Sequence, residues 1–152
     1  MRHTIHPASN FSDDPRLSGY VTFHGDDPFE EAIGPFCWKE LDDGTSKCAF
    51  VVQRRNLNDD GMVHGGCLMS FADFAIFRFS APYKDGPSVT LSFECDFTSA
   101  AYDDEFIECT GEVVHSTGSF VFLRGDVFTY REGKRVVILS YKATIKKFKK
   151  KS

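Results

Sequence analysis

Residues Gly65 to Phe79 are mostly apolar and free of proline, with Phe71, Phe74, Phe77 and Phe79 among them. Their length and content predict a helix surrounded by protein on most sides. The rest of the chain must supply that surrounding. It reads mainly as strands, so the pattern points to an antiparallel sheet wrapped around one central helix, an α+β order.

The flanking segments carry their own signals. Asp27-Pro28-Phe29-Glu30-Glu31 starts a short helix, with Asp as N-cap, Pro in the first turn and acids at the positive end, and Gly34 stops it. Strand-like runs follow at Phe36–Glu40 and Lys47–Arg54, joined by the turn signal Asp42-Asp43-Gly44. After the central helix, Lys84-Asp85-Gly86-Pro87 forms a loop. Val89 to Phe97 then alternates, with Val89, Leu91, Phe93, Cys95 and Phe97 as its apolar face. Further strands are predicted near Glu105–Val114, Phe120–Tyr130 and Arg135–Lys146, with turns at Ser116-Thr117-Gly118 and Arg131-Glu132-Gly133. Residues 1–26 are polar and read as an irregular segment, residues 27–148 as one domain, and residues 149–152 as a basic tail.

Asp73 is the only acid on the central helix. A carboxylate there loses water, which costs free energy unless a group pairs with it, and the same loss makes it a stronger base. Ser70 and Phe77 flank it at helical spacing, which places Asp73 on a narrow stripe that could face a cleft. A structural Asp, bound to a backbone group or to Arg78, accounts for the same residue. At the helix start, His64-Gly65-Gly66 gives a tight turn and N–H groups unscreened by side chains. The first N–H groups of a helix lack partners within it and the dipole there favours negative charge, so the turn could hold an oxyanion. A plain loop-to-helix turn accounts for those glycines too.

Geometry constrains how the two features could cooperate. Asp73 is eight residues beyond Gly65. That is ~12 Å along a helix axis, whereas reacting atoms must approach to ~3–3.5 Å. Either the features are unrelated, or a second copy supplies one of them. A two-fold dimer with antiparallel helices would bring Asp73 of one chain to Gly65 of the other.

The spacing Asn58, Gly61, Val63, His64, Gly65, Gly66 and Asp73 resembles the hotdog-fold acyl-CoA thioesterases of the PaaI-like (phenylacetyl-CoA) type. The likeness continues in SVTLSFECDF, Ser88 to Phe97, which resembles that family's strand after the helix, and it spans roughly Phe29 to Phe148. The resemblance implies a hotdog fold and hydrolysis of an acyl-CoA to a carboxylic acid and CoA. It makes Asp73 the base that activates water, or the nucleophile itself. Gly65 would supply an N–H to the thioester oxygen, and Asn58 and His64 would orient substrate or water. Thr90 would hold the water from the same chain as Asp73. Gly66, Ser70 and Phe77 would line the substrate site. It further implies a homo-oligomer, a dimer or a tetramer built as a dimer of dimers. The chain departs from the pattern in the acidic pair Asp59-Asp60 beside a site for an anionic ligand, and in a longer N-terminal segment.

Composition limits the alternatives. The chain has 152 residues, enough for a proper core, and 16 phenylalanines that suit a core or an acyl pocket. A net charge of −4 gives no sign of nucleic acid as a partner. Five cysteines, without a CxxC pair, read as reduced core residues of a cytoplasmic protein. No signal peptide or membrane helix is expected, no His/Cys/acid cluster has metal-ligand spacing, and no cofactor is called for beyond CoA as part of the substrate. A hotdog domain that binds acyl-CoA without hydrolysing it is the main alternative, and a dehydratase fits less well because His64 and Asp73 lie far apart along the helix.

Overall fold

The computed structural model describes residues 4–149. Its central helix, α2, covers Gly65–Phe79, as the apolar run predicts. His64 caps its start, Arg78 lies in its last turn where the dipole favours a cation, and Cys67, Leu68, Phe71, Ala72, Phe74, Ala75 and Ile76 are buried. A shorter helix, α1 (Pro28–Ile33), begins where Asp27 accepts the Glu30 N–H at 3.0 Å.

Among the described residues eight strands form one antiparallel sheet. They are β1 (Ile5–Pro7), β2 (Val21–Phe23), β3 (Cys37–Glu40), β4 (Ser46–Val51), β5 (Ser88–Phe97), β6 (Phe106–Ser116), β7 (Phe120–Arg131) and β8 (Lys134–Lys147). Their order across the sheet is β1-β2-β3-β4-β6-β7-β8-β5. The buried face of α2 packs against inward residues of the sheet, among them Phe50, Ile107, Val121, Leu139 and Ile145. The rings of Phe36, Phe50 and Phe71 meet with centroids 4.7–5.3 Å apart, close enough to add edge-to-face attraction to their burial.

Two features differ from the sequence reading. Residues 4–26, expected to be irregular, contain β1 and β2, which extend the sheet beyond β3. Short strands interrupted by Pro7, Pro15 and Gly19 give little alternation to detect. In β5 the expected apolar face is split. Thr90 pairs with Ile145 and Ser92 with Thr144, which leaves Leu91 as an extra residue in a β-bulge. The bulge reverses the alternation: Phe93 and Cys95 face the helix, Val89 and Leu91 are exposed, and Thr90 turns inward. Of the basic tail, Lys150, Lys151 and Ser152 lie outside the described residues.

Among the described residues no helix is long and apolar enough to cross a membrane. The five cysteines are free, and four of them are buried.

Candidate active site

Residues 56–66 are held in place before any chemistry is considered. Asn58 receives hydrogen bonds on its side-chain oxygen from the Asp60 and Met62 N–H groups, at 3.0 and 3.1 Å. Its backbone carbonyl accepts from Gly61 N–H, and its own N–H donates to the Met62 carbonyl. Gly61 sits at φ +77°, a conformation that costs other L-residues free energy, so the Asn-x-x-Gly spacing encodes this closed turn. The Asn58 oxygen is thus spent on the loop, and only its amide N–H groups remain to orient a ligand.

Asn56, which the sequence reading passed over, anchors the same segment. It is buried. Its amide donates to the Ile33 carbonyl at 2.6 Å and its oxygen accepts from Gln53 N–H at 2.8 Å. Its backbone carbonyl accepts the His64 N–H at 2.8 Å. One residue thereby ties the end of α1 to the start of α2. A second Asn two residues before Asn58 was the available signal, since a buried amide persists only when its bonds are made.

At the start of α2 the N–H groups can be accounted for one by one. Cys67 and Leu68 donate to the His64 carbonyl, at 2.9 and 3.2 Å. Gly66 donates to His64 Nδ1 at 2.9 Å, which makes the exposed His64 ring a cap. Gly65 N–H has no hydrogen-bond partner among the described residues. The one unused donor is therefore the one the oxyanion reading requires. A Cβ on Gly65 would lie 3.2 Å from Phe97 Cζ, so the half-exposed Phe97 ring covers this end of the helix. A Cβ on Gly66 would meet His64 Nδ1 at 3.0 Å.

Further along α2, Asp73 accepts a hydrogen bond from Thr90 Oγ1 at 2.6 Å. Thr90 holds the carboxylate directly; the sequence reading had it holding a water. The contact exists because the Leu91 bulge turns Thr90 toward the helix. Arg78 is not the partner of Asp73. Its guanidinium lies over Phe23, Trp38 and Phe74, 4.9–5.9 Å from the ring centroids. With Oδ1 engaged, Asp73 Oδ2 has no hydrogen bond among the described residues. A carboxylate fixed on one oxygen and free on the other is suited to take a proton from water or to attack a carbonyl.

Asp73 belongs to a less covered stripe of α2: Gly66 and Met69 are exposed, Ser70, Asp73 and Phe77 are partly so, and Phe77 packs against the core. Ser70 donates to the Gly66 carbonyl at 2.7 Å, so its hydroxyl is occupied within the helix. Lys84 Nζ lies 4.2 Å from the Phe77 ring centre, and burial together with nearby Arg78 brings its ammonium down to about 8. Within one chain the structure joins Asp73 to Thr90, while Asn58 lies in the turn closed by the Leu57–Val63 bridge, just before His64 and Gly65 at the start of α2. No group of three His, Cys, Asp or Glu residues able to hold a metal occurs among the described residues.

Comparison with known proteins places the fold and the family. The family model described as Thioesterase superfamily matches residues 60–136, which include Gly65, Asp73 and Thr90. Among solved structures, the TT0310 protein from Thermus thermophilus is 29% identical, with a TM-score of 0.67 over 80% of this chain and 98% of its own. A variant of the phenylacetic acid degradation protein PaaI from the same organism is 28% identical, with a TM-score of 0.68 over 80% of this chain and 100% of its own. A hypothetical thioesterase from Streptococcus pneumoniae, solved with coenzyme A, shares the fold at 22% identity, with a TM-score of 0.64 over 76% of this chain and 88% of its own. A comparison with curated proteins gives no match. The fold is the hotdog fold of these proteins, an antiparallel sheet around one main helix.

Proposed function

The chain belongs to the thioesterase superfamily, a family of thioester hydrolases, and on that premise we propose that it hydrolyses an acyl-CoA to a carboxylic acid and CoA. The observation that carries this reading is the pairing of an unused N–H at Gly65 with a carboxylate at Asp73 that Thr90 fixes on one oxygen. The thioester carbonyl accepts a hydrogen bond from Gly65 N–H, and the helix dipole favours the charge that develops on its oxygen. Asp73 Oδ2 removes a proton from a water that attacks the carbonyl carbon and passes it to the departing sulfur; if Oδ2 attacks that carbon itself, water hydrolyses the mixed anhydride left as sulfur departs, which frees Asp73 and supplies the proton to sulfur. The carbon–sulfur bond then breaks and CoA leaves as the thiol. The reaction as proposed uses no cofactor beyond the CoA of the substrate.

The site is completed by a second copy. One α2 cannot bring Asp73 and Gly65 to the same carbon, because ~12 Å of axis separates them. The less covered stripe of α2 supplies a face for an antiparallel partner helix. Strand β5 supports the same assembly. It is ten residues long, lies at the end of the sheet paired with β8 alone, and exposes Val89, Leu91 and Phe97. Natural proteins seldom leave such an edge open. Each site then takes Asn58, His64 and Gly65 from one protomer and Asp73 and Thr90 from the other, with Gly66, Ser70 and Phe77 lining it. The minimal unit is a homodimer, and a tetramer would be two of them. Larger assemblies occur on this fold: one solved broad-specificity acyl-coenzyme A thioesterase is hexameric.

The test is release of free thiol from a panel of acyl-CoAs, by wild type and Asp73→Asn side by side. The proposal expects turnover of at least one acyl-CoA by wild type and its loss in the variant, with ligand binding retained. Tight binding with no thiol release by wild type would identify a binding module instead.

A further inference from the structure

We propose that Lys84 of one protomer pairs with Asp59 and Asp60 of the partner subunit and so sets the register of the two central helices, a contact that rests on the two-protomer site above. All three charges are unpaired within one chain. Lys84 Nζ lies 4.2 Å from the Phe77 ring centre and has no hydrogen bond or ion pair among the described residues. It is half-buried, and burial followed by Arg78 lowers its ammonium to about 8. An ammonium held on an apolar ring with another cation nearby costs free energy, which a carboxylate would offset. Asp59 and Asp60 are exposed. The Asp60 N–H is bound to Asn58, but neither carboxylate has a hydrogen bond or ion pair among the described residues.

The two-fold relation that brings Gly65 of one chain to Asp73 of the other also fixes which other levels of the helices meet. Its axis passes midway between them, at residue 69. Met69 stands there and is 39% exposed, an apolar side chain set to meet its own copy across the axis. One turn beyond Asp73, toward the end of α2, comes Phe77 and with it Lys84. In an antiparallel partner the same displacement leads from Gly65 out of the helix start and into the turn before it. That turn is closed on Asn58 and carries Asp59 and Asp60 at its tip. Two acids without a cation thus come to the level of a cation without an acid, and the symmetry repeats the contact. The pairing also accounts for an acidic pair beside a site for an anionic ligand. Its charge is engaged by the partner's ammonium and is not left to repel the phosphates of CoA.

The test is the dimer dissociation constant of the full-length chain, measured by sedimentation over a dilution series. Lys84→Glu should raise it about 100-fold, because a loss of roughly tenfold per pair acts at both symmetric places. Asp59→Lys together with Asp60→Lys should raise it by a similar factor. All three reversals in one chain restore opposite charges across the interface and should return the constant to within a few-fold of wild type. Lys84→Met keeps the packing on Phe77, removes only the charge, and should raise the constant about tenfold. A wild-type dimer whose variants dissociate no more readily would overturn the pair and leave the shared site standing. So would a triple variant no tighter than the single reversals. A Lys84→Met protein that dimerises as wild type does but shows a raised KM for acyl-CoA would also overturn the pair, and would assign the ammonium to the phosphates of CoA. A wild type that stays monomeric across the dilution series would overturn both the pair and the shared site.

Discussion

In the proposed reaction one hydrogen bond decides which oxygen of Asp73 acts. Thr90 occupies Oδ1 at 2.6 Å and leaves Oδ2 without a hydrogen bond among the described residues. Asp73→Asn keeps the size and removes the charge, and should lower the hydrolytic rate by ~10²–10⁴-fold while ligand binding survives. A variant within a few-fold of wild type would make Asp73 structural. Thr90→Val removes the hydroxyl and should lower kcat roughly tenfold, whereas Thr90→Ser should restore most of it. Steady-state kinetics on the two variants checks this. Glu30 gives a prediction on stability. Burial and then Asp27 raise its carboxyl from 4.5 to about 7 in the folded chain, so the native state binds the proton more tightly than the unfolded chain does. That stabilisation is fully present below about 4.5 and is lost as pH rises to about 7. Glu30→Gln should therefore match wild type in denaturant titrations near pH 4 and exceed it near pH 8, by ~1 kcal/mol after discounting for partial exposure. Asp73 and Gly65 were legible in the sequence because an acid on an apolar helix and a double glycine at its start each break a local rule. Glu30 was not, because it looks like one of several acids at a helix start and only the tertiary structure shows that burial and Asp27 act on it together.

The elements explain why those residues end where they do. The central helix was readable to its last residue, since fifteen mostly apolar residues without proline read as one buried helix. Strand β5 was readable as a strand but not in its facing. Regular alternation would put Thr90 on the side of Ser92 and Glu94, away from the helix; the extra residue Leu91 moves it to the side of Phe93. A bulge of this kind leaves no signature in an apolar–polar pattern whose apolar residues all suit either face. Strands β1 and β2 were missed for lack of any alternation long enough to count. A different constraint holds β6, β7 and β8 together. Gly111 pairs with Gly125, and Gly125 with Tyr141. The space left by the two glycines receives the Tyr141 hydroxyl, which donates to the Thr110 carbonyl at 3.1 Å. A Cβ on Gly125 would overlap that carbonyl oxygen and lie 2.6 Å from the Tyr141 hydroxyl. Gly125→Ala is expected to destabilise the protein by ~2 kcal/mol or more through overpacking. The check is thermal unfolding, where an unchanged Tm would show that the strands can part without cost.

In the whole molecule as proposed, one chain is half of its own active site. The sequence contained the argument for this, because the separation of Gly65 and Asp73 follows from helix geometry alone. What it did not contain is the surface that would receive the partner: the stripe from Gly66 to Phe77 is defined by what the fold covers less, and the open edge of β5 by which strands pair elsewhere. The most direct measurement mixes two inactive proteins, Asp73→Asn and Gly65→Val, under conditions of subunit exchange. In a mixed dimer one site carries both lesions and the other carries neither, so hydrolysis should return to as much as about half the wild-type rate per mixed dimer. Two variants that exchange subunits and remain inactive together, or a monomeric wild type with full activity, would contradict the shared site.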